Sequence, residues 1–89
     1  MIQVAFSSSF KRAFGKRIKG RGALEDRYWE RLDVLIHDPF DPRLRTHKLS
    51  GALKEMWSFS VGHDLRVLFY FVGGQKVVLV DIGTHEEVY

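Results

Sequence analysis

After its first few residues, this chain changes the spacing of its apolar residues once, and that change dictates the class of fold. Phe10, Ala13, Phe14 and Ile18 recur at intervals of three and four, and Leu24, Tyr28, Leu32, Leu35 and Ile36 continue the pattern. This is the period of helices that each bury one stripe. From Trp57 the period falls to two. Trp57, Phe59 and Val61 alternate with Ser58 and Ser60, and residues 65–72 are rich in β-branched and aromatic side chains, as a pleated sheet requires. Residues 76–82 are apolar almost without interruption, which implies a strand buried on both faces or nearly so. At the start, Ile2, Val4 and Phe6 alternate with Gln3 and Ala5 and predict one more strand. The expected order is βααβββ.

Punctuation residues divide these segments. Ser7, Ser8 and Ser9 offer N-cap oxygens ahead of the first helix, Gly20 and Gly22 break it, and Asp38-Pro39 stops the second at about His37. Residues 38–44, with Pro39 and Pro42 among aspartates, read as an irregular loop, followed by the basic connector Arg45-Thr46-His47-Lys48-Leu49-Ser50-Gly51. Gly62-His63 and Gly73-Gly74 supply turns so short that the last three strands must pair antiparallel. The helix hairpin then covers one face of that sheet. The expectation is an α+β fold, a helix hairpin packed on a small, largely antiparallel sheet, in one domain over residues 1–89. At 45% hydrophobic residues, a chain of 89 can build that core without staples. It has no cysteine, which excludes disulfides and thiolate metal sites and points to a reducing cytoplasm. The N-terminal apolar patch is too short for a signal sequence, and no run approaches the roughly 18 residues of a membrane span.

Charge is segregated along the chain. Lys11, Arg12, Lys16, Arg17, Lys19 and Arg21 fall within residues 11–21 with no acid among them, whereas the last nine residues hold Asp81, Glu86 and Glu87. Such a basic run attracts RNA or an acidic peptide, although the solvated face of a helix has the same composition. Neither a phosphate-binding glycine loop nor a metal-spaced histidine cluster occurs, so no cofactor and no metal is implied.

The polar residues hardest to explain structurally are His47, Asp64, Arg66, His85 and Tyr89. The strand that ends before His85 runs antiparallel to the one that begins at Leu65, so His85 should lie beside Asp64 and Arg66. Cleavage of RNA by its own ribose 2′-hydroxyl needs a base, an acid for the departing 5′-oxygen and a cation for the phosphorane. Histidine is suited to proton transfer near neutral pH, arginine to holding a phosphate through two parallel hydrogen bonds, and a tyrosine to stacking on a base. Ordinary roles compete with each. Asp64 caps a turn equally well, Arg66 pairs equally well with Asp81 or Asp64 across strands, and His47 is simply a loop histidine. His37, ending a helix, is a favourable charge there.

These residues and the βααβββ order resemble the RelE/ParE toxin superfamily of toxin–antitoxin modules. Three stretches carry the likeness: His47-Lys48-Leu49-Ser50-Gly51; Trp57-Ser58-Phe59-Ser60 on to Asp64-Leu65-Arg66-Val67-Leu68-Phe69; and Asp81-Ile82-Gly83-Thr84-His85-Glu86-Glu87-Val88-Tyr89. The last is most similar to the YafQ branch, in which a Gly-Thr-His segment ends the chain. The resemblance implies a RelE-like fold and a ribosome-dependent mRNA endonuclease that works without a metal, held inactive by a cognate antitoxin and expected to be a monomer when free. It implies acid–base or substrate-orienting roles for His47, Asp64, His85 and Tyr89, and phosphate binding by Arg66. Lys48 joins the substrate site, and Lys11, Arg12, Lys16, Arg17, Lys19, Arg21, Arg45 and Lys54 become the surface that meets ribosomal RNA. Tyr89, with its own carboxylate beside His85, favours the imidazolium and so the acid's role for that histidine. Ser60 departs from the pattern, standing where YafQ-like toxins have another histidine and RelE-like ones a lysine. Two alternatives share this fold: a ParE-like inhibitor of DNA gyrase that needs no acid–base residues, and a degenerate toxin that only binds its antitoxin.

Overall fold

The computed structural model describes every residue except His63 and Tyr89, and for Ala52, His85 and Val88 it describes the backbone alone. Helices α1 (Ser8–Arg17) and α2 (Ala23–His37) precede most of a five-stranded sheet built from β1 (Gln3–Phe6), β2 (His47–Lys48), β3 (Trp57–Gly62), β4 (Leu65–Val72) and β5 (Lys76–Thr84). One helical turn, α3 (His85–Val88), follows β5. Strands lie in the order β1-β5-β4-β3-β2, antiparallel except that β1 runs parallel to β5. The short turns that force antiparallel pairing on β3, β4 and β5 place no such constraint on β1, which is separated from β5 by both helices. The expected α+β architecture is the one the chain adopts.

Alternation within the strands decides which face is covered. Phe59, Val61, Val67, Phe69, Val77 and Leu79 point toward the helices and pack on Phe10, Ile18, Tyr28, Leu32 and Leu35. The residues between them face the other way, where Leu68 and Leu49 make a small second cluster with Met56 and Val80. β5 is therefore less enclosed than its apolar run implies: Val78 and Val80 are only half-buried. Its alternation also skips once. Phe69 pairs with Leu79 but Leu68 with Asp81, which leaves Val80 as the extra residue of a bulge. The Val80 carbonyl accepts from the Ser9 hydroxyl at 2.6 Å, so a residue of the first turn of α1 satisfies the interrupted ladder.

Local signals at the helix ends behave as their chemistry demands. Ser7 caps α1 by accepting from the Phe10 amide at 3.0 Å. The Ile18 and Lys19 amides both reach the Phe14 carbonyl at 2.9 Å, after which Gly20 turns the chain with φ of 78°. Asp38 is extended, as a residue before proline must be, and ends α2. Besides 3-10 turns at Pro42–Leu44 and Gly51–Leu53, the structure departs from the expected order in three ways. The connector contains β2, β5 continues to Thr84, and α3 closes the described chain. A two-residue strand has no alternation to reveal it, since its pairing is set by β3 rather than by its own sequence.

Candidate active site

The face of the sheet turned away from the helices carries a polar row. In register, His47 lies opposite Ser58 and Ser60 opposite Arg66, while Arg66 lies opposite Gly83 on its other side. Directly opposed residues share a face, so Ser60, Arg66 and Gly83 form one line across β3, β4 and β5. Ser60 accepts from the Gly62 amide at 3.2 Å, and Ser58 is fully buried. Gly83, opposite Arg66, bears no side chain and is itself buried. Leu65 pairs with Thr84, which puts the backbone of His85 next along from the start of β4, with Asp64 immediately before it.

His47 stands apart from this group. It lies on the edge strand, two strands from Arg66, or roughly 10 Å at the usual strand spacing. Its Nδ1 approaches the Arg45 carbonyl at 3.2 Å. The neighbouring Lys48 holds its Nζ 6.0 Å from the centre of the Trp57 ring, at the outer limit of a cation–π contact. Arg45 is exposed in a left-handed conformation at φ 51°, and Lys54 is exposed beyond the 3-10 turn Gly51–Leu53. Of the anticipated site, Tyr89 lies outside the described residues, and so does the side chain of His85. Among the described residues no three His, Asp or Glu side chains gather as metal ligands would.

The turn that carries His85 is tied at both ends. Thr84 Oγ1 accepts from the Glu87 amide at 3.3 Å, and Glu87 Oε1 accepts from the Thr84 amide at 2.8 Å. This reciprocal pair is a capping box. The other oxygen of the Glu87 carboxylate accepts from Nη2 of Arg17, the last residue of α1. The Thr84 amide first, and then Arg17, hold the Glu87 carboxyl below its ordinary value of 4.5. Thr84-x-x-Glu87 is a pattern readable in the sequence, and it marks two residues of this corner that do not stand out as acids or bases.

The basic run is divided by the fold rather than presented as one surface. Arg12, Lys16 and Arg17 flank a cleft of about 490 Å³ that is floored by Asp81, Ile82 and Gly83 and closed by Glu87. Arg21 joins Lys16 and Arg17 beside Leu65, at the end of the sheet where Asp64 lies, and donates to the Lys16 carbonyl at 3.3 Å. Lys11 and Lys19 instead border an apolar hollow of about 320 Å³ on the other flank of α1, lined by Phe6, Phe14, Tyr28 and Trp29. Four cations thus approach the corner that holds His85, and two do not. Within α1, helical winding puts Lys11 on a different flank from Arg12 and Lys16, while Lys19 and Arg21 lie beyond the end of the helix.

Comparison with known proteins matches this architecture throughout. A family model described as the bacterial toxin of type II toxin–antitoxin systems, YafQ, covers residues 2–89. YafQ from Escherichia coli strain BL21(DE3) superposes with a TM-score of 0.74 at 16% identity, over 100% of this chain and 99% of that one. The E. coli DinJ–YafQ complex gives 0.72 at 16% identity with the same coverage. A YoeB/ParE toxin from Agrobacterium tumefaciens gives 0.78 at 13% identity, over 94% of this chain and 99% of that one. No curated protein matches the sequence.

Proposed function

The chain belongs to the bacterial YafQ family of type II toxin–antitoxin toxins, and from that premise we propose that it is an mRNA endonuclease that cuts on the ribosome without a metal. The carrying observation is the register that brings Ser60, Arg66 and Gly83 into one row and sets Thr84 opposite Leu65, so that the His85 turn follows beside the start of β4. In this reading a base removes the proton of a ribose 2′-hydroxyl, and the oxygen attacks the adjacent phosphorus. The 5′-oxygen leaves with a proton from an acid, giving a 2′,3′-cyclic phosphate and a 5′-hydroxyl. Arg66 holds the phosphate and the charge that builds on it.

His85 and Asp64 serve the proton transfers at the start of β4, and His47 meets the substrate from the edge strand, with a nucleotide bridging the strands between. Lys48 and Tyr89 hold the flanking RNA. Arg12, Lys16 and Arg21 extend the same surface toward ribosomal RNA, joined by Arg45 and Lys54 from the β2 side and by Lys11 and Lys19 across α1. The toxin acts in the cytoplasm as a single domain over residues 1–89, a monomer when free, and a cognate antitoxin silences it, as the DinJ–YafQ pairing in E. coli supports. Among the described residues no helix is long and apolar enough to cross a membrane.

The test is to add the purified protein to programmed ribosomes and map the mRNA ends beside a His85→Ala variant. Loss of a proton-transfer group slows cleavage by about 10²–10⁴-fold. Equal cutting by both proteins would remove His85 from the chemistry. Absence of cutting together with inhibition of gyrase supercoiling would replace the nuclease with a gyrase-directed toxin, and absence of both would leave a degenerate toxin that binds its antitoxin alone.

A further inference from the structure

A single helical turn such as α3 is not stable on its own, because nucleating a helix orders several residues for each hydrogen bond gained. His85 opens this turn, so anything that orders the turn also sets where His85 is. Two devices do so. The capping box between Thr84 and Glu87 joins the turn to the last residue of β5. The pairing of Glu87 with Arg17 joins it to the end of α1. α1 is itself fastened to β5 at its other end, by the Ser7 amide on the Leu79 carbonyl at 3.0 Å and by the Ser9 hydroxyl on the Val80 carbonyl. Helix, strand and turn make a closed bracket whose tip is residue 85.

We infer that Glu87 and Arg17 are positioning residues of the cleavage reaction, fixing the turn that carries His85, and that Arg17 acts on the carboxylate of Glu87 rather than on RNA. The inference rests on the nuclease reading. It also gives Arg17 a different task from Arg12 and Lys16, which flank the same cleft. An exposed ion pair contributes little to overall stability, so the effect belongs in catalysis rather than in folding. The Arg17 and Glu87 side chains are 31% and 45% exposed, and substitutions there leave the core intact.

The experiment is cleavage kinetics on programmed ribosomes with the full chain, reading kcat and KM separately, with thermal denaturation as a control for folding. Glu87→Ala removes both restraints and lowers kcat by about 10–100-fold, the scale on which a shift of about 1 Å at a reacting group is felt, with KM unchanged. Glu87→Gln keeps an oxygen for the Thr84 amide and recovers part of the loss, and Thr84→Ser, which preserves the box, stays close to wild type while Thr84→Val does not. Arg17→Ala lowers kcat in the background of Glu87 and has no further effect in the background of Glu87→Ala, because the two act as one unit. Amide exchange at residues 84–88 quickens in the same variants that lose kcat.

If the wild type does not cut, the nuclease reading fails and this one with it. If the wild type cuts and Glu87→Ala retains its kcat, only the positioning role is lost. A third result, in which Arg17→Ala raises KM and lessens the salt dependence while kcat holds, makes Arg17 an RNA contact and overturns the inference.

Discussion

The two faces of this sheet are made by the same strands yet follow different rules. On the covered face, Phe59 and Phe69 meet with ring centres 5.9 Å apart, and Phe10, Phe14 and Tyr28 continue the aromatic packing into the helices. On the opposite face, the same stretch of β3 and β4 carries the fully buried Ser58, the half-buried Ser60 and Arg66, and Leu68, which belongs to a small apolar patch that holds the edge strand. Odd and even positions along one strand therefore carry separate burdens: the odd set packs the core beneath the helices, and the even set makes the opposite face. Because a strand's period is two, substitutions one residue apart should fail in different ways.

The largest expected effect is on the covered face. Phe69→Ala removes a fully buried ring and should cost about 3–5 kcal/mol of unfolding free energy, read from denaturant unfolding. Three positions earlier and on the other face, Arg66→Ala should lower cleavage by about 10²–10³-fold, or about 2.7–4 kcal/mol of transition-state stabilisation, and Arg66→Lys should recover only part of it because an ammonium lacks the planar fork. The comparison breaks if Arg66→Ala unfolds the protein as readily as Phe69→Ala does. Leu68→Ala tests the patch between these extremes. Its cluster is small and sits beside solvent, so the loss should lie near the lower end of the range for buried leucines, about 2 kcal/mol.

Much of this division is legible in the amino-acid sequence. The switch from a period of three or four to a period of two locates both helices and three strands, and glycine turns order β3, β4 and β5. That order alone places His85 beside Asp64 and Arg66, and the register sets Thr84 against Leu65. What is not legible is decided by hydrogen bonding over long sequence distances. β2 exists because His47 and Lys48 pair with β3, and β1 lies beside β5 because the helices return the chain there. Proximity in sequence also misleads. Residues 11–21 form one basic run in the sequence, but helical winding sends Lys11, and the turn after α1 sends Lys19, to an aromatic hollow, while Arg17 lies on Glu87. The capping box is visible as Thr84-x-x-Glu87, yet it encloses a histidine whose own chemistry is the stronger signal, and only its link to Arg17 gives it a place in the site.

A smaller effect belongs to the seam where the two faces exchange places. The bulge at Val80 resets the alternation of β5, so that Leu79 serves the core and Gly83 the polar row. Its freed carbonyl is held by Ser9. Ser9→Ala should cost about 1 kcal/mol, the net worth of one such hydrogen bond, and Ser9→Thr should restore it. Cleavage should fall further than stability in Ser9→Ala if the bulge governs how Gly83 and Thr84 reach Arg66. Parallel losses would make Ser9 a fastening of α1 alone.

The mildest perturbation is pH, and it too should separate the faces. Three carboxylates have lowered values: Glu87 through the Thr84 amide and Arg17, Asp41, brought to about 2 by its hydrogen bonds with Arg43, ahead of β2, and Glu25 on α2 through Trp29 and the Gly20 amide. A folded value below the unfolded one contributes stability that is fully present above the unfolded value and is lost as pH falls through the folded one. For Asp41 that window runs from 3.8 down to about 2, and for Glu87 it begins at 4.5 and extends downward. Glu87 is exposed and Asp41 half-buried, and acid should loosen residues 84–88 and then the 3-10 turn Pro42–Leu44 locally, seen as faster amide exchange there at unchanged exchange in β4. The covered face responds at the opposite end of the scale. Burial pushes Tyr28 above its ordinary value of 10.0, so its neutral form is favoured in the folded protein and its contribution is intact below pH 10. Above that pH the unfolded chain ionises first, and stability falls for the molecule as a whole because Tyr28 packs on Phe10 and Phe14 in the core. Acid should therefore open a corner while alkali unfolds the domain, and acid-induced exchange appearing first in β4 and β5 would show that the opposite face is not held separately from the core.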